Sequence, residues 1–294
     1  MSLGVGGGSY AEVIGDPIAQ SKSPAIHSHW LARAGIEAEY RACHVPADRL
    51  ADYFAARRQD LRWRGCNVTM PHKQAVIPLL DRLEIGAEMV GAVNTVTARR
   101  RGDRAVLIGA NTDGVGFLEP LRKELERTHL FRMARVLGTG GAARAIVAAL
   151  AEHNFTVVLA GRNRAKAEAL LETIDPDGEH HAIDLAHFAQ VTDFPFDDRA
   201  GCLDLIINAS PLGMAGMPPL VFDFSHAPPG SIAYDIVTHP LDTAFLQGAR
   251  AAGLRTLDGL NMLIGQAAAA FERFFGQPPP REPGDVDLRA LLAG

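Results

Sequence analysis

Residues 134–162, ARVLGTGGAARAIVAALAEHNFTVVLAGR, constrain this chain more than any other stretch. RVL reads as the end of a strand. Gly138, Thr139, Gly140, Gly141 and Ala142 form a turn that opens a helix, and TVVLA is the next strand. A strand, a crossover helix and a second strand make a parallel pair, because parallel strands cannot be joined by a short hairpin. Glycines in such a turn let the backbone approach a pyrophosphate, and the helix N-terminus offers free N–H groups and a favourable dipole. A tight turn without a ligand has the same composition, so the flanking strand and helix carry the dinucleotide reading. The loop after the second strand holds Gly161, Arg162, Asn163, Arg164 and Lys166, and no acid. An NAD site places Asp or Glu there, whereas an NADP site meets its extra phosphate with cations. NADP is therefore expected over NAD. The plainer alternative is a solvated basic loop that caps a helix.

The remaining pattern alternates strands with helices, which predicts an α/β fold with a largely parallel sheet. AEVIGDP, EYRACHV, GCNVT, DLIINASPLGM and SIAYDIVTHP read as strands. SPAIHSHWLARAG reads as a helix with Ser23 as N-cap, Pro24 at the first position and Gly35 closing it. ADRLADYFAARRQ is a second helix, and PHKQAVIPLLDRL a third entered at Pro71. NMLIGQAAAAFERFFG is a terminal helix with a small-residue face. GAVNTVTARRRGDRAVLIGANTDG reads as paired strands around an Arg-Gly-Asp turn, and DPDGEHHAIDLAHFAQ as a surface excursion. A length of 294 residues fits two domains. Residues 115–255 are expected to form a Rossmann-like dinucleotide domain.

Several classes are disfavoured. The net charge is −5 and no basic tract is present, which argues against nucleic acid as a partner. No apolar run is long enough to span a membrane. The opening MSLGVGGGSY lacks the basic and apolar regions of a signal peptide and reads as a flexible leader. Cys43, Cys66 and Cys202 are scattered and odd in number, which fits a reducing cytoplasm without a disulfide framework. His27 and His29, or His180 and His181, lack metal-ligand spacing, so no metal is expected.

The segments GDPIAQSKSPAIH, NVTMPHK, GAVNT, NTDGVGF, GTGGAAR, INASPLGM and DGLNMLIGQAAAAF follow one another over residues 10–277. Together they resemble the shikimate dehydrogenase family. The resemblance implies an N-terminal substrate-binding α/β domain, residues 10–114 plus 256–294, beside an NADP-binding Rossmann-like domain. It implies reversible NADP-dependent reduction of 3-dehydroshikimate to shikimate in a cleft between domains, by a monomer or homodimer. Ser21 and Ser23 match the family's carboxylate-holding serines. Thr69, Asn94 and Gln266 match positions that bind ring hydroxyls, with Asn67 in the same set. Lys73 and Asp113 match the catalytic pair. A ketone reduced by hydride needs a proton at its oxygen. A lysine near a helix N-terminus is disfavoured as a cation, and a neighbouring Asp favours it. The plainer readings are helix capping for the serines, turn chemistry for Asn67 and Asn94, and an exposed surface lysine for Lys73.

The chain departs from the family pattern at Gln20, where a histidine is usual, and at Thr238, where a tyrosine is usual. Asn261, counted among the cofactor-binding residues, stands where the family has glycine. These departures leave open quinate or aminoshikimate as substrate, and a catalytically weak NADP(H)-binding sensor.

Overall fold

The computed structural model describes residues 8–101, 104–196 and 199–293. The chain divides into two compact units, Met1–Asp113 with Ile264–Gly294, and Gly114–Leu263. The first contains β1 (Ser9–Gly15), α1 (Ser23–Ala34), β2 (Ala38–His44), α2 (Leu50–Gln59), β3 (Trp63–Val68), β4 (Arg82–Leu83), α3 (Ile85–Val90), β5 (Thr95–Arg101) and β6 (Arg104–Ala110). Asp113 opens α4 (Asp113–Leu118). The second continues with α5 (Arg122–Leu125), β7 (Phe131–Leu137), α6 (Gly141–Glu152), β8 (Thr156–Gly161), α7 (Arg164–Ile174), β9 (His181–Asp184), β10 (Cys202–Asn208), β11 (Ile232–Asp235), α8 (Ala244–Ala251) and β12 (Arg255–Leu257). α9 (Gly259–Phe275) contains the second unit boundary, which lies beyond the 255/256 junction anticipated from the sequence. Met262, in its first turns, belongs to the apolar core of the second unit. α10 (Val286–Ala293) ends the described chain.

The second unit has a six-stranded sheet in the order β12-β11-β10-β7-β8-β9, parallel throughout. Leu203–Asn208 and all of β11 are buried, as expected for parallel strands covered on both faces. Successive strands run outward from β7 to β9, then restart at β10 on β7's other side. The carboxyl ends of β7 and β10 are therefore a topological switch point.

The first unit's sheet, β2-β1-β3-β5-β6-β4, is mixed rather than largely parallel. β1 pairs in parallel with β2 and β3, but β5 is antiparallel to both β3 and β6. A connection as short as that between Arg101 and Arg104 permits only an antiparallel pair. Gly102 and Asp103 of the anticipated turn lie outside the described residues, as do leader residues 1–7.

Three local expectations are corrected. Ser23 is the first residue of α1, not its N-cap. Lys22 occupies that position without a side-chain cap, and the Ser21 hydroxyl accepts the Ser23 N–H at 3.3 Å instead. Pro24 is accordingly the second residue of the helix rather than the first, and Gly35 closes it as anticipated, with φ 64°. Residues 71–80 do not form an α-helix. They make turns and a short 3-10 segment, Ile77–Leu79. Pro78 has no N–H to give the Gln74 carbonyl, which bonds to the Ile77 N–H at 3.2 Å. The stretch read as a surface excursion contains edge strand β9, parallel to β8. His180 enters it by accepting the Val157 N–H at Nδ1, 3.1 Å.

β3 lies between β1 and β5 and tolerates little change. The pairing shifts between Tyr10↔Trp63 and Ala11↔Gly65, which bulges the strand at Arg64. Gly65 has φ +146°, and a Cβ there would lie 2.1 Å from the Val96 carbonyl. Near this strand, His27 of α1 is fully buried. Its ring stacks on Tyr40 with centroids 3.9 Å apart, and neither nitrogen has a hydrogen-bond partner. Burial pushes its pKa down to about 3. Among the described residues the cysteines are free, no metal-binding cluster occurs, and no helix is long and apolar enough to cross a membrane.

Gly65→Ala is expected to destabilise the chain by more than about 2 kcal/mol, combining backbone strain with overpacking. Urea denaturation measures it, and a midpoint equal to wild type would contradict this account of the bulge. His27 gives a pH signature. The folded state keeps the ring neutral down to about 3, while the unfolded chain protonates it near the ordinary 6.5. Stability from this group is present above 6.5 and is lost as pH falls toward 3, by up to about 1.4 kcal/mol per pH unit. Unfolding free energies of His27→Leu measured across that window should show a shallower acid decline than wild type.

Candidate active site

The first unit collects polar side chains where β3, β5 and β6 meet. The Val68 N–H donates to the Asn94 carbonyl at 2.7 Å, and the Asn94 N–H to the Ala110 carbonyl at 3.1 Å. Asn94 therefore sits just before β5, bonded on both sides. The segment carrying Lys73 docks through its own carbonyl, which accepts the Val93 N–H at 2.7 Å. Asn111 accepts the Asp113 N–H at 3.0 Å and donates to the Ala92 carbonyl at 2.9 Å, which sets the start of α4. Three chain segments are thus tied together by main-chain bonds before any side chain acts.

Lys73 Nζ lies 2.5 Å from Asp113 Oδ2. The two side chains are 16% and 6% exposed, so the pair is largely withdrawn from water and its attraction is weakly screened. The other oxygen, Asp113 Oδ1, accepts from Asn94 Nδ2 at 2.8 Å. The same amide nitrogen lies 2.9 Å from Thr112 Oγ1 and 3.4 Å from Gln266 Oε1. An ammonium has three donors. Lys73 uses one of them on Asp113, and the others have no protein partner among the described residues.

Lys73, Asn94, Asp113 and Gln266 thus form one bonded cluster, to which Asn67 is also joined. Asn67 serves it from behind. Its Nδ2 donates to the Asn94 carbonyl at 3.2 Å and to Thr95 Oγ1 at 3.0 Å, so both amide hydrogens are engaged and none is left for a ligand. The Thr69 and Ser23 hydroxyls have no protein partner among the described residues. Thr69 is half-buried and Ser23 buried. Ser21 and Ser23 lie at the start of α1, with no direct bond to the Lys73 cluster. No α-helix begins at Pro71, so Lys73 does not sit at a helix N-terminus. Tyr40, Thr95 and Thr112 belong to the same network and were not anticipated. For the threonines, the adjacency to Asn94 and Asp113 was the available signal. For Tyr40, bonded at 2.6 Å to Asn67 across the sheet, there was none.

In the second unit, Gly138 has φ +126°, and a Cβ there would approach the Ala209 carbonyl to 2.7 Å. The ends of β7 and β10 therefore touch backbone to backbone. Gly140 is the N-cap of α6, and a Cβ there would meet nothing within 4 Å, so the first turn of α6 is open to a ligand. Asn163 caps α7, accepting the Lys166 N–H at 3.1 Å, and Arg164 pairs with Glu168 at 2.8 Å. Arg162 and Lys166 are exposed and make no side-chain bond among the described residues, which leaves two cations beside the open turn. Asn261 gives both amide hydrogens to Asp258, at 3.0 Å and 3.1 Å, and so secures the start of α9. Thr238 is half-buried after β11. Asp235, at the end of β11, accepts from Asn208 Nδ2 at 3.0 Å and Thr243 Oγ1 at 2.7 Å. Burial raises its pKa.

Comparison with known proteins places these features in one lineage. Residues 13–96 match the model of the shikimate dehydrogenase substrate binding domain, and residues 259–283 that of the shikimate 5'-dehydrogenase C-terminal domain. A shikimate dehydrogenase (NADP(+)) of Sphingopyxis alaskensis is 50% identical over 285 residues, 96% of each chain. Among solved structures, shikimate 5-dehydrogenase from Thermus thermophilus in complex with NADP(H) and shikimate superposes with a TM-score of 0.75 at 32% identity, over 96% of this chain and 99% of that one. Quinate dehydrogenase from Corynebacterium glutamicum in complex with NAD gives 0.79 at 30% identity, over 97% and 99%. Half of all positions agree with the Sphingopyxis enzyme across almost the full length of both proteins, and the chain belongs to the shikimate dehydrogenase family.

Proposed function

We propose that this chain catalyses the reversible NADP-dependent reduction of 3-dehydroshikimate to shikimate, with Lys73 and Asp113 handling the proton. The observation that carries this reading is the withdrawn Lys73–Asp113 pair at 2.5 Å, with two ammonium donors left over. Lys73 donates a proton to the carbonyl oxygen of the substrate as negative charge develops there, and receives it back in the reverse direction. Asp113 holds the ammonium in place. Asn94 and Gln266 carry carboxamides beside the pair, the type of group that binds ring hydroxyls, and Asn94 meets the substrate by giving up its bond to Thr112 or Gln266. Thr69 offers an unpartnered hydroxyl to the same ring, and Ser21 and Ser23 meet the substrate carboxylate. A site that hydrogen-bonds hydroxyls disfavours substrates lacking them.

The second unit fits NADP. The open turn Gly138–Ala142 gives backbone N–H groups to the pyrophosphate. Arg162 and Lys166 face the 2′-phosphate, while Asn163 and Arg164 shape the loop. When bound, the nicotinamide supplies the hydride. Asn261 acts here by holding the start of α9 rather than by direct contact. The relatives named as NADP(+)-dependent shikimate dehydrogenases support this reading. The quinate dehydrogenase bound to NAD marks the nearest competing one, and the absence of an acid between Gly161 and Lys166 favours NADP.

Lys73→Ala is expected to lower kcat for shikimate oxidation about 10²–10⁴-fold, the usual weight of acid–base catalysis. NADP binding should stay unchanged. Asp113→Asn should lose turnover too, and the double mutant should fall well short of additivity. Steady-state kinetics with shikimate and with quinate decide it. Near-wild-type turnover in Lys73→Ala would remove Lys73 from the reaction, and a clear preference for quinate would move the substrate assignment.

Arg162→Ala should raise KM for NADP far more than for NAD. Parallel titrations of the two cofactors provide the measurement, and an equal change in both would take Arg162 away from the 2′-phosphate.

A further inference from the structure

Behind the Lys73–Asp113 pair runs a buried chain of hydrogen bonds in which the orientation of both asparagine amides is determined. Two of its partners can act in one sense only. The Thr112 N–H donates to Asn94 Oδ1 at 2.8 Å, which turns Asn94 Nδ2 toward Asp113. The Asn94 carbonyl accepts from Asn67 Nδ2 at 3.2 Å, which turns Asn67 Oδ1 toward Tyr40. The Tyr40 hydroxyl therefore donates to Asn67 Oδ1, at 2.6 Å. Thr95 Oγ1 accepts from Asn67 Nδ2 at 3.0 Å, so its single proton is free to go to Asn94 Oδ1, also at 3.0 Å. Tyr40, Asn67, Asn94, Thr95 and Thr112 are all buried. Burial lifts the Tyr40 phenol well above its ordinary range, which keeps the hydroxyl a donor.

We infer that Tyr40, Asn67 and Thr95 are positioning residues that aim the Asn94 carboxamide at Asp113 and so hold Lys73 where it can deliver its proton. This rests on the role of Lys73 and Asp113 proposed above and extends it to three side chains bonded behind the pair. Two features distinguish the role from packing. The Tyr40 ring is already held by its stack on His27, so its hydroxyl is not needed to place the ring. Thr95 contacts the network through its hydroxyl, and Asn94 binds Asp113 through the nitrogen opposite the oxygen that Thr95 engages. With one of these bonds missing, the buried network is only partly satisfied, and the amides gain alternative orientations.

The test is steady-state kinetics of shikimate oxidation with NADP on the full chain carrying Thr95→Val, Thr95→Ser or Tyr40→Phe. Valine keeps the shape of threonine and removes the hydroxyl, whereas serine keeps the hydroxyl and removes a methyl group. Positioning predicts that Thr95→Val lowers kcat about 10- to 100-fold, with both KM values changed less than about threefold, while Thr95→Ser stays within about threefold of wild type. Packing predicts the reverse order. Wild-type kcat in Thr95→Val, or an equal loss in both threonine variants, overturns the inference. Should Thr95→Val fail to fold, Tyr40→Phe replaces it: a kcat loss with unchanged KM values supports positioning, and an unchanged kcat overturns it. Lys73→Ala in the same assay separates the two levels. If it remains active, the proton-handling pair falls and this inference with it. If it is inactive while Thr95→Val and Tyr40→Phe are active, only the positioning role falls.

Discussion

The contact between Lys73 and Asp113 sets the terms for the first unit. An ammonium and a carboxylate 2.5 Å apart, both mostly out of water, attract each other strongly, but the cost of withdrawing them is offset only with further hydrogen bonds to the pair. Asn94 meets one carboxylate oxygen, and Asn94 is in turn placed by main-chain bonds to β3 and to the end of β6. The mixed sheet is the means. The β5–β6 hairpin brings Asn94 and Asp113 to the same end, and the parallel β1–β3 pair delivers the segment with Thr69 and Lys73 there. Removing one partner of such a pair would strand a charge in a poorly solvated place. The surrounding amides therefore serve stability and chemistry through the same bonds.

The second unit depends on a different constraint, the backbone approach of Gly138 to Ala209. It lets adjacent parallel strands end flush at the switch point, with the first turn of α6 left open. Asn208, Ser210 and Asp235 bond to one another or to nearby backbone and hold the loops after β10 and β11 in place. An anion at this turn would meet a helix N-terminus without an intervening side chain, with Arg162 and Lys166 exposed in the loop after β8.

The fold of the second unit was legible because its signals are local. A strand, a glycine turn, a helix and a strand lie within residues 134–162, and parallel pairing follows from their order. The paired strands β5 and β6 were legible for the same reason. The segment after Pro71 was misread because its spacing of apolar residues suits a helix, while Pro78 removes the donor that would continue one. Edge strand β9 was missed because its composition is polar, and its pairing with β8 is decided by a neighbour more than twenty residues earlier in the chain.

At the candidate site, sequence by itself determined which residue types are present: a lysine, an aspartate, amides and hydroxyls within short motifs that resemble one family. It also determined the acid-free basic loop after β8. Tertiary structure alone decided what each group does with its hydrogen bonds. Asn67 and Asn94 are both asparagines at strand ends, yet Asn67 turns both donors into the protein while Asn94 bonds to the carboxylate that faces Lys73. Asn261, counted among cofactor contacts by position, gives both amide hydrogens to Asp258 at the start of α9. Tyr40 enters the network only because β2 and β3 flank β1, an arrangement no local pattern encodes. The physical reason is that a side chain's identity gives its donors and acceptors, whereas their direction is set by partners that folding brings from distant parts of the chain.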